Sequence, residues 1–423
     1  MNSRRGRLFI LSELYRPETT STGAFLTGIA EGLAEPAVPV SWEVKVLCAQ
    51  PSYRERGVTA PWREELNGVQ VRRIRAFRFH RSSILLRLLN AISFSVGVFW
   101  RGLLEFRSGD VVVAVTNPPT LPFVSWAAAR VRGARFVLLI HDVYPEVLLA
   151  TGHLSPGGGR ARILSAFTRR LYGAAWRIVV LGRDMAELVK AKAPVAANRV
   201  RLIPNWGEVV EAEVPPALVA PTGPAAAPTP APAPATAPRL RLVYSGNLGR
   251  THGLENLVEA AARLEPQQVE FMVAGDGVRA TWLAHEVRRR GLAHVRLLGY
   301  QPTPDLKALL ASAHATLLTF QPGMAGVSVP SRMYNLLGAG RPLLAVCDPH
   351  SEVALLLKEN RCGWVVPPGD PDALVEAVRR VAATPPHELE AMGRRGRQAV
   401  AESYTREAVV EAWRGLLRES GRS

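Results

Sequence analysis

The sequence predicts an α/β protein with two doubly wound, parallel-sheet domains that face each other across a cleft. Its 423 residues are about two to three times the length of a typical single domain, so we expect two domains. A hydrophobic fraction of 48% and a charged fraction of 21% allow two buried cores and exclude a wholly disordered chain. Short β-rich runs also alternate with helical patterns along the chain, which is typical of buried parallel strands.

The predicted strands fall into two groups. Those of the first half are Arg7–Ser12, Glu43–Cys48, Val69–Ile74, Asp110–Val115, Arg135–Ile140, Arg177–Leu181 and Val200–Ile203. Those of the second half are Leu240–Tyr244, Val269–Val273, Val295–Leu298, Ala315–Thr319, Pro342–Val346 and Trp364–Val366. Ligands of such sheets bind beyond the carboxyl ends of the strands, so the predicted site is a cleft between the two sheets.

An Ala/Pro-rich stretch separates the two groups of strands. Residues 215–238 carry no charge and contain too many prolines for regular helix or sheet. We therefore expect residues 207–238 to be a semi-rigid linker or a surface insertion between two domains.

Positive charge is concentrated in the first half. The chain carries a formal net charge of +16, and residues 1–206 hold 29 of the 52 basic and 14 of the 36 acidic side chains. This excess predicts a polyanionic partner, either anionic lipid or nucleic acid. The three cysteines are too few and too far apart for a disulfide framework or a metal knuckle, and the apolar run Leu8–Leu11 is too short for an export signal. We expect a reduced, cytoplasmic protein.

One apolar segment, Ile84–Leu104, stands apart from the α/β pattern. Its charges are Arg87 and Arg101, and the 13 residues between them fall short of the roughly 20 that span a bilayer. It follows the basic run Arg72–Arg81, in which five arginines interleave with two phenylalanines. A core helix after a solvated strand is one interpretation, but together the segments favour a helix lying in an anionic membrane surface. The sequence contains no recognisable nucleic-acid module, so lipid is favoured over nucleic acid.

Two glycine-rich turns follow strands in the second half. The first contains Gly246, Asn247 and Gly249 and precedes Arg250, and the second contains Gly275 and Gly277. Such turns can present backbone N–H groups and a helix N-terminus to a phosphate. One turn alone is often only a tight turn, but two in one domain favour a phosphorylated ligand. Their spacing is not that of the GxGxxG dinucleotide motif.

The stretch GVSVPSRMYNLLGAGRP, from Gly326 to Pro342, predicts a short helix that starts near Ser331. Arg332 in its first turn can bind a pyrophosphate, and Asn335 one turn later can hydrogen-bond a ribose hydroxyl. The alternative is an ordinary capped helix whose arginine faces water.

His141 and Asp142 begin the motif HDVYPE, directly after a predicted strand. At the mouth of a sheet, this pair can position or deprotonate a hydroxyl. Alternatively, Asp142 caps the next helix and His141 is an ordinary loop residue. The rigid turn TNPPT, Thr116–Thr120, ends the preceding strand and is predicted to shape the same mouth.

In this order the motifs resemble those of a GT-B glycosyltransferase of the retaining "group 1" (family 4) type. They are PET at Pro17–Thr19, TNPPT, HDVYPE, IPNWGE at Ile203–Glu208, YSGNLGRTHGLENL from Tyr244, VAGDG from Val273 and VPSRMYNLLGAGRPLLA from Val329. The resemblance covers nearly the whole chain apart from the Ala/Pro-rich stretch. It is closest to the bacterial branch that transfers N-acetyl-L-fucosamine and related sugars in surface polysaccharide assembly.

This resemblance implies two Rossmann-like domains with different roles. Residues 1–206, including the segment 72–104, would bind the acceptor, and residues 239–399 would bind the nucleotide-sugar donor. Within residues 400–423, a helix over Thr405–Arg418 would cross back to the first domain. The implied reaction is transfer from a nucleotide diphosphate sugar, most simply a UDP-sugar, with retention and without a metal or another cofactor. The implied acceptor is a lipid-linked diphosphate sugar or an oligosaccharide, which would hold the enzyme on the inner face of the cell membrane.

Several positions depart from the broad family pattern. Val327 and Asn335 stand where many members have two glutamates, and Asn247 and His252 stand where many have the arginine and lysine that hold the diphosphate. Arg250 and Arg332 are the substitutes that the resemblance suggests. The residues and the resemblance together predict catalytic roles for His141, Asp142, Arg250 and Arg332, and donor binding by Gly246, Asn247, Gly249, Gly275, Gly277, Ser331 and Asn335, with no metal ligands.

Two other functions remain open on the sequence alone. One is a non-catalytic sugar- or lipid-binding protein of the same fold, which the departures at Val327, Asn247 and His252 favour. The other is a nucleotide-sugar epimerase, which needs acidic and basic residues around one sugar carbon that the sequence does not identify.

Overall fold

The computed structural model describes residues 6–18, 20–35, 42–51, 58–79, 84–210 and 239–421. These residues form two sheets, one on each side of the Ala/Pro-rich stretch, with helices packed against them. The predicted α/β class with two doubly wound domains is confirmed. The predicted linker over residues 215–238 lies outside the described residues, and so does Arg81 of the basic run.

The first domain contains an eight-stranded sheet of order β3-β4-β2-β1-β5-β6-β7-β8. Its strands are β1 Arg7–Leu11, β2 Glu43–Cys48, β3 Arg63–Leu66, β4 Val69–Arg73, β5 Val111–Val115, β6 Arg135–Leu139, β7 Arg177–Val180 and β8 Val200–Leu202. Its helices are α1 Ser21–Ala34, α2 Ile84–Glu105, α3 Leu121–Arg132, α4 Glu146–Ala150, α5 Gly159–Ala174 and α6 Arg183–Lys192. The central strands are buried on both faces, and all five residues of β5 are buried, as their continuous apolar runs predict.

The edge strand β3 was not predicted from the sequence. It pairs antiparallel with β4 through a tight turn at Asn67 and Gly68, both of which have positive φ. The strand REEL lacks an apolar run because it is largely exposed. The Asn-Gly pair between Leu66 and Val69 is the sequence signal that indicates this hairpin.

The second domain contains a six-stranded parallel sheet of order β11-β10-β9-β12-β13-β14. Its strands are β9 Leu240–Ser245, β10 Val269–Ala274, β11 Val295–Gly299, β12 Ala315–Thr319, β13 Leu343–Val346 and β14 Gly363–Val366. Its helices are α7 Leu254–Ala261, α8 Ala280–Arg289, α9 Thr303–Ala311, α10 Arg332–Gly338, α11 Glu352–Asn360, α12 Pro371–Ala383 and α13 Pro386–Ser403, and α14 Arg406–Arg418 follows. Every predicted strand of both halves corresponds to an observed strand within one or two residues at each end.

The last helix, α14, packs against α1 of the first domain. Arg414 Nη2 donates to the carbonyl of Gly32 (2.7 Å), and Arg406 Nη2 donates to that of Gly28 (3.1 Å). Trp413 is buried in the same contact layer. The chain therefore returns to the first domain after completing the second.

The loop before α10 and the start of α11 also reach the first domain. The loop makes contacts from Val143 N to Val327 O (2.9 Å) and from Gly326 N to Asp184 Oδ2 (2.9 Å). At the start of α11, Glu352 Oε1 accepts from Arg183 Nη2 (3.0 Å). Glu352 is buried, and the hydrogen bonds that the Arg183 guanidinium donates to the carboxylates of Glu359 and Glu352 raise the pKa of Arg183. These contacts hold the carboxyl ends of the two sheets opposite each other.

Helix α2 has one buried and one exposed face, both apolar. Phe94 and Val98 are buried toward α3, whereas the exposed large side chains recur every three or four residues. They are Leu85, Leu88, Leu89, Ile92, Val96, Trp100 and Leu104, and together they are called the α2 stripe. Among the described helices, α2 included, none combines the length and the hydropathy that crossing a membrane requires.

Candidate active site

A cavity of about 570 Å³, the central cavity, lies between the carboxyl ends of the two sheets. The first domain contributes residues near the start of α1 and after β5, β6 and β8. The second domain contributes both glycine-rich turns and the start of α10. This position agrees with the cleft that the sequence predicts.

Arg332 projects into the central cavity from the first turn of α10. Its guanidinium lies 4.7 Å from the centre of the Tyr244 ring, and its Nη1 donates to the Tyr244 hydroxyl (2.8 Å). Tyr244 donates in turn to the carbonyl of Asn247 (2.9 Å). The Nε and Nη2 atoms of Arg332 are buried without a hydrogen-bond partner among the described residues. Buried donors without a hydrogen-bond partner are costly in free energy, so these two nitrogen atoms need an explanation.

The two glycine-rich turns pack directly on each other and on Arg332. A Cβ atom on Gly275 would lie 1.8 Å from the carbonyl oxygen of Gly246, and one on Gly246 would lie 2.3 Å from Arg332 Nη1. Both glycines also have positive φ, 142° and 153°. Close packing therefore explains why these positions are glycine, and it brings the turns and the cation to one wall of the cavity.

His252 lies beside Arg332 and lines the same wall. Burial, with a contribution from the Arg332 cation, lowers the pKa of His252 well below its usual range. His252 is therefore neutral at physiological pH, and Arg332 supplies the positive charge at this wall. His252 Nδ1 lies 3.1 Å from the hydroxyl of Thr251, which fixes the ring next to Phe320.

Asn335 is exposed on α10 and lines the central cavity. Its Oδ1 accepts a hydrogen bond from the backbone N–H of Glu208 (3.0 Å), at the start of the predicted linker. Its side-chain nitrogen donates no hydrogen bond among the described residues, so it can donate to a ligand. Ser331 also lines the cavity, but its side chain does not cap α10.

The opposite wall carries His141 and Asp142 from the loop after β6. Asp142 does not cap the next helix: its Oδ2 accepts from Asn117 Nδ2 (2.8 Å), and Tyr144 donates to Asn117 Oδ1 (3.0 Å). This chain of hydrogen bonds fixes the carboxylate at the cavity. His141 Nδ1 lies 3.4 Å from the Thr22 hydroxyl, and burial lowers the pKa of His141 although Asp142 opposes the shift. The wall thus presents a neutral histidine and a carboxylate that can orient a hydroxyl.

The remaining predicted site residues lie around the central cavity rather than all within it. Asn247 lines it, whereas Gly249 is buried against Asn247 and His252. Gly277 lines a second cavity beside it. Arg250, in the short 3-10 helix Arg250–His252, is exposed and lines a third cavity of about 570 Å³ with Thr151, Arg279 and Trp282. The structure therefore brings Arg332, Asn335, His141 and Asp142 together and sets Arg250 apart.

Val327 is buried at the domain interface and does not line the central cavity. Asn117 of the TNPPT turn lines the cavity, as that motif predicts, and Tyr144 of HDVYPE supports it. Thr22 and Tyr244 also support the site, and the sequence analysis gave neither a role there. Within the described residues no group of three or more His, Cys, Asp or Glu side chains could hold a metal ion.

Comparison with known proteins agrees with this geometry. Residues 239–384 match the family described as glycosyl transferases group 1, and residues 22–206 match the glycosyl transferase 4-like domain. The chain is also 30% identical to the probable glycosyltransferase WbjE of Pseudomonas aeruginosa over 353 residues, which is 81% of this chain and 83% of WbjE. The chain belongs to the group 1 glycosyltransferase family. It is therefore an enzyme that transfers sugars, rather than an epimerase or a non-catalytic binding protein.

Other similarities support the GT-B fold of this glycosyltransferase. The chain is 29% identical to the putative colanic acid biosynthesis glycosyl transferase WcaI of Escherichia coli, over 88% of this chain and 91% of WcaI. Sucrose-phosphate synthase from Thermosynechococcus elongatus superimposes with a TM-score of 0.74 at 15% identity, with 98% of this chain and 99% of that one covered. Anabaena HepE in complex with UDP superimposes with a TM-score of 0.65 at 13% identity, covering 98% of this chain and 100% of HepE. The narrower resemblance to the N-acetyl-L-fucosamine branch stays a prediction.

Proposed function

We propose that the enzyme transfers a sugar from a nucleoside diphosphate sugar, first of all a UDP-sugar, bound in the central cavity. The observation that carries this proposal is Arg332. Among the described residues lining the cavity it is the sole lysine or arginine, and two of its buried nitrogen atoms have no hydrogen-bond partner. A diphosphate at this wall would satisfy those donors, and the nucleotide ribose would reach Asn335 one turn along α10.

The charges of the two walls fit a division between donor and acceptor. The donor wall carries Arg332, whereas Asp142 is the one carboxylate among the described lining residues. Asp142 and neutral His141 would orient the attacking acceptor hydroxyl from the first domain. As the bond to the sugar breaks, negative charge grows on the departing diphosphate, and Arg332 stabilises it more strongly than in the ground state.

The stereochemical outcome is proposed to be retention. No residue of the described lining on the donor wall is a carboxylate, so the wall offers no side chain to form a covalent glycosyl intermediate. The departing diphosphate oxygen would accept the proton of the acceptor hydroxyl on the same face of the sugar. We therefore expect the product to keep the anomeric configuration of the donor.

Polysaccharide synthesis is the proposed setting of this reaction. Relatives are named for colanic acid biosynthesis, and the donor side is supported by the complexes of HepE with UDP and UDP-glucose. The acceptor is proposed to be a lipid-linked diphosphate sugar or an oligosaccharide. The first domain, which carries nearly all of the excess positive charge, would bind it.

Binding at an anionic membrane surface is proposed to involve the α2 stripe. Arg75, Arg78 and Arg87 are exposed near the N-terminal end of α2, and so are Phe77 and Phe79. Cations beside an apolar helix face are complementary to anionic headgroups over acyl chains. The enzyme would then act at the inner face of the cell membrane without crossing it.

Two arginines of the predicted basic run, Arg72 and Arg73, are not available to bind a membrane surface. This corrects the sequence analysis, which counted them among the membrane-facing charges. Arg73 is buried, pairs with Glu64 of β3 and donates to the carbonyl of Arg16 (2.8 Å). Arg72 pairs with Glu105 at the end of α2 (2.6 Å). Both have intramolecular partners because β3 and α2 pack against β4, so the membrane-facing charge is smaller than the sequence suggests.

Release of UDP from UDP-sugars tests the proposed function. The purified full-length chain is incubated with UDP-, GDP- and dTDP-linked sugars, and the free nucleotide is measured with and without an acceptor extract. We expect slow UDP release that the acceptor accelerates, and NMR of the product should show the donor's anomeric configuration. Hydrolysis of GDP- or dTDP-sugars alone would contradict the proposed donor. A product of inverted anomeric configuration would contradict the proposed retention.

A further inference from the structure

A second cavity of about 800 Å³, the lateral cavity, lies beside the central cavity. Ser21, Thr22, Asn117, Val147 and Asn247 line both cavities, so the two meet at these residues. The lateral cavity therefore leads directly to the place where the donor and acceptor walls face each other.

The other side of the lateral cavity is formed by the first turns of α2. Arg87, Leu88, Asn90 and Ala91 line it, and Leu88 also belongs to the α2 stripe. The stripe continues from Leu88 to Leu104, which is about 24 Å along a helix. An apolar surface thus leads from the outside of the first domain into a cavity that meets the reaction centre.

Arg87 lies at the point where the stripe enters the lateral cavity. It is exposed, and among the described residues no hydrogen bond or ion pair engages its guanidinium. It is the sole lysine or arginine of the described lining. A free guanidinium beside an apolar surface is complementary to a phosphate that carries a hydrocarbon chain.

The lining also contains two carboxylates, Glu13 and Asp276. Asp276 belongs to the second glycine-rich turn, beside Asn247, and therefore lies on the reaction-centre side. Carboxylates repel a phosphate but accept hydrogen bonds from sugar hydroxyls. Glu13 lines a further cavity together with Asn90 of α2, so it lies toward the α2 end. Asp276 thus favours a sugar at the inner end, and Arg87 is the group that favours a phosphate at the α2 end.

Building on the proposed transferase function, we propose that the lateral cavity binds an acceptor in which a sugar is attached to a lipid diphosphate. Arg87 binds the diphosphate, the lipid chain lies along the α2 stripe, and the sugar points toward Thr22 and Asp142. Arg87 is thus a binding residue that selects a phosphorylated lipid over a neutral one. The α2 stripe serves the acceptor as well as the membrane.

Binding of farnesyl diphosphate, a short lipid diphosphate without a sugar, tests this proposal. Titration calorimetry is carried out with the full chain and saturating UDP, so that the donor wall around Arg332 is occupied. Arg87→Gln is compared with Arg101→Gln, a matched charge loss on the same helix that lies outside the lateral cavity and pairs with Glu105. Farnesol, which has only the lipid chain, and inorganic pyrophosphate, which has only the diphosphate, are titrated as controls.

We expect the wild type to bind farnesyl diphosphate more tightly than either farnesol or pyrophosphate. Arg87→Gln should weaken the binding of farnesyl diphosphate about tenfold, because a charged hydrogen bond is lost, and leave the affinity for farnesol unchanged. Arg101→Gln should stay within about twofold of the wild type.

If Arg87→Gln and Arg101→Gln bind farnesyl diphosphate with the same affinity, the role of Arg87 is wrong. If the wild type binds pyrophosphate as tightly as farnesyl diphosphate, the lipid chain is not recognised and the lipid assignment is wrong. UDP affinity, measured first on each protein, reports on folding and on the donor site. If the wild type binds UDP but not farnesyl diphosphate, the lateral-cavity proposal fails while the proposed function stands.

Discussion

Replacing Arg332 by methionine should separate catalysis from stability. Methionine keeps an unbranched side chain of similar reach but removes the charge and all five donors. The wild type buries Nε and Nη2 of Arg332 without a hydrogen-bond partner in the described structure, and each buried unsatisfied donor costs about 1–3 kcal/mol. The variant loses the hydrogen bond to Tyr244 and the contact with its ring, worth about 1–2 kcal/mol together.

Relief of the two unsatisfied donors, about 2–6 kcal/mol in total, therefore equals or exceeds the loss in the ligand-free protein. We expect Arg332→Met to leave the unfolding free energy unchanged or to raise it, by up to about 5 kcal/mol. Turnover should nevertheless fall by about 10²–10³, the effect of losing one preorganised group worth about 2.7–4 kcal/mol in the transition state. A residue with a purely structural role would lose stability and activity together.

The assay combines UDP release from a UDP-sugar with thermal unfolding, each with and without UDP. Saturating UDP at 100 times its dissociation constant should stabilise the wild type by about 2.7 kcal/mol and the variant by much less. Arg250→Met is the comparison variant, because Arg250 is exposed and lines a different cavity. Arg250 stays a predicted diphosphate ligand, but we expect the larger loss in Arg332→Met. Wild-type turnover in Arg332→Met, or a loss of stability large enough to explain its inactivity, would refute this reasoning.

Three further outcomes are expected. Asn335→Ala should weaken UDP binding by about 1–2 kcal/mol while thermal unfolding without ligand stays the same, and an unchanged UDP affinity would remove Asn335 from the site. Changing Arg75 and Arg78 together to Ser should shift the protein off phosphatidylglycerol vesicles in co-sedimentation, most clearly at low salt, and equal binding of the wild type to neutral vesicles would contradict the electrostatic part. Since the pKa of His252 is lowered in the folded state, the protein should lose stability as pH falls below about 6.5, by up to about 1.4 kcal/mol per pH unit from this residue. His252→Gln should make that slope shallower in urea unfolding, and identical slopes would show that His252 does not titrate as described.

The fold was predictable because the central strands are buried on both faces. Continuous apolar runs such as Val111–Val115 leave a strong signal in the sequence, and the order of elements then defines two doubly wound sheets. The edge strand β3 was not predicted, because a strand at an exposed edge needs no apolar run. That omission also explains the error at Arg73, since Glu64, its partner, lies on β3.

The alternation of apolar and polar residues along β4 was the signal that could have corrected the prediction that Arg73 faces a membrane. Val69, Val71 and Arg73 share one face of the strand, and all three are buried, whereas Gln70 is exposed. A buried arginine needs an acidic partner, and its nearest acidic residues in the sequence are those of Arg63–Leu66.

The candidate site was only partly predictable from the sequence. Motifs at the carboxyl ends of strands indicated His141, Asp142, Arg332 and Asn335, because parallel strands bring their ends to one edge. The position of Arg250 depends on the direction in which a 3-10 turn presents its side chain, and sequence spacing does not determine that direction. The lack of hydrogen-bond partners at Arg332 depends on side chains from other elements, which become apparent only in three dimensions.

A crystal structure of the full chain with UDP tests the central claim most directly. The account predicts density for the diphosphate within hydrogen-bond distance of Arg332 Nε or Nη2, with the ribose at Asn335. Density for the diphosphate beside Arg250 and Arg279 and out of reach of Arg332, or an empty central cavity in crystals grown with saturating UDP, would contradict it.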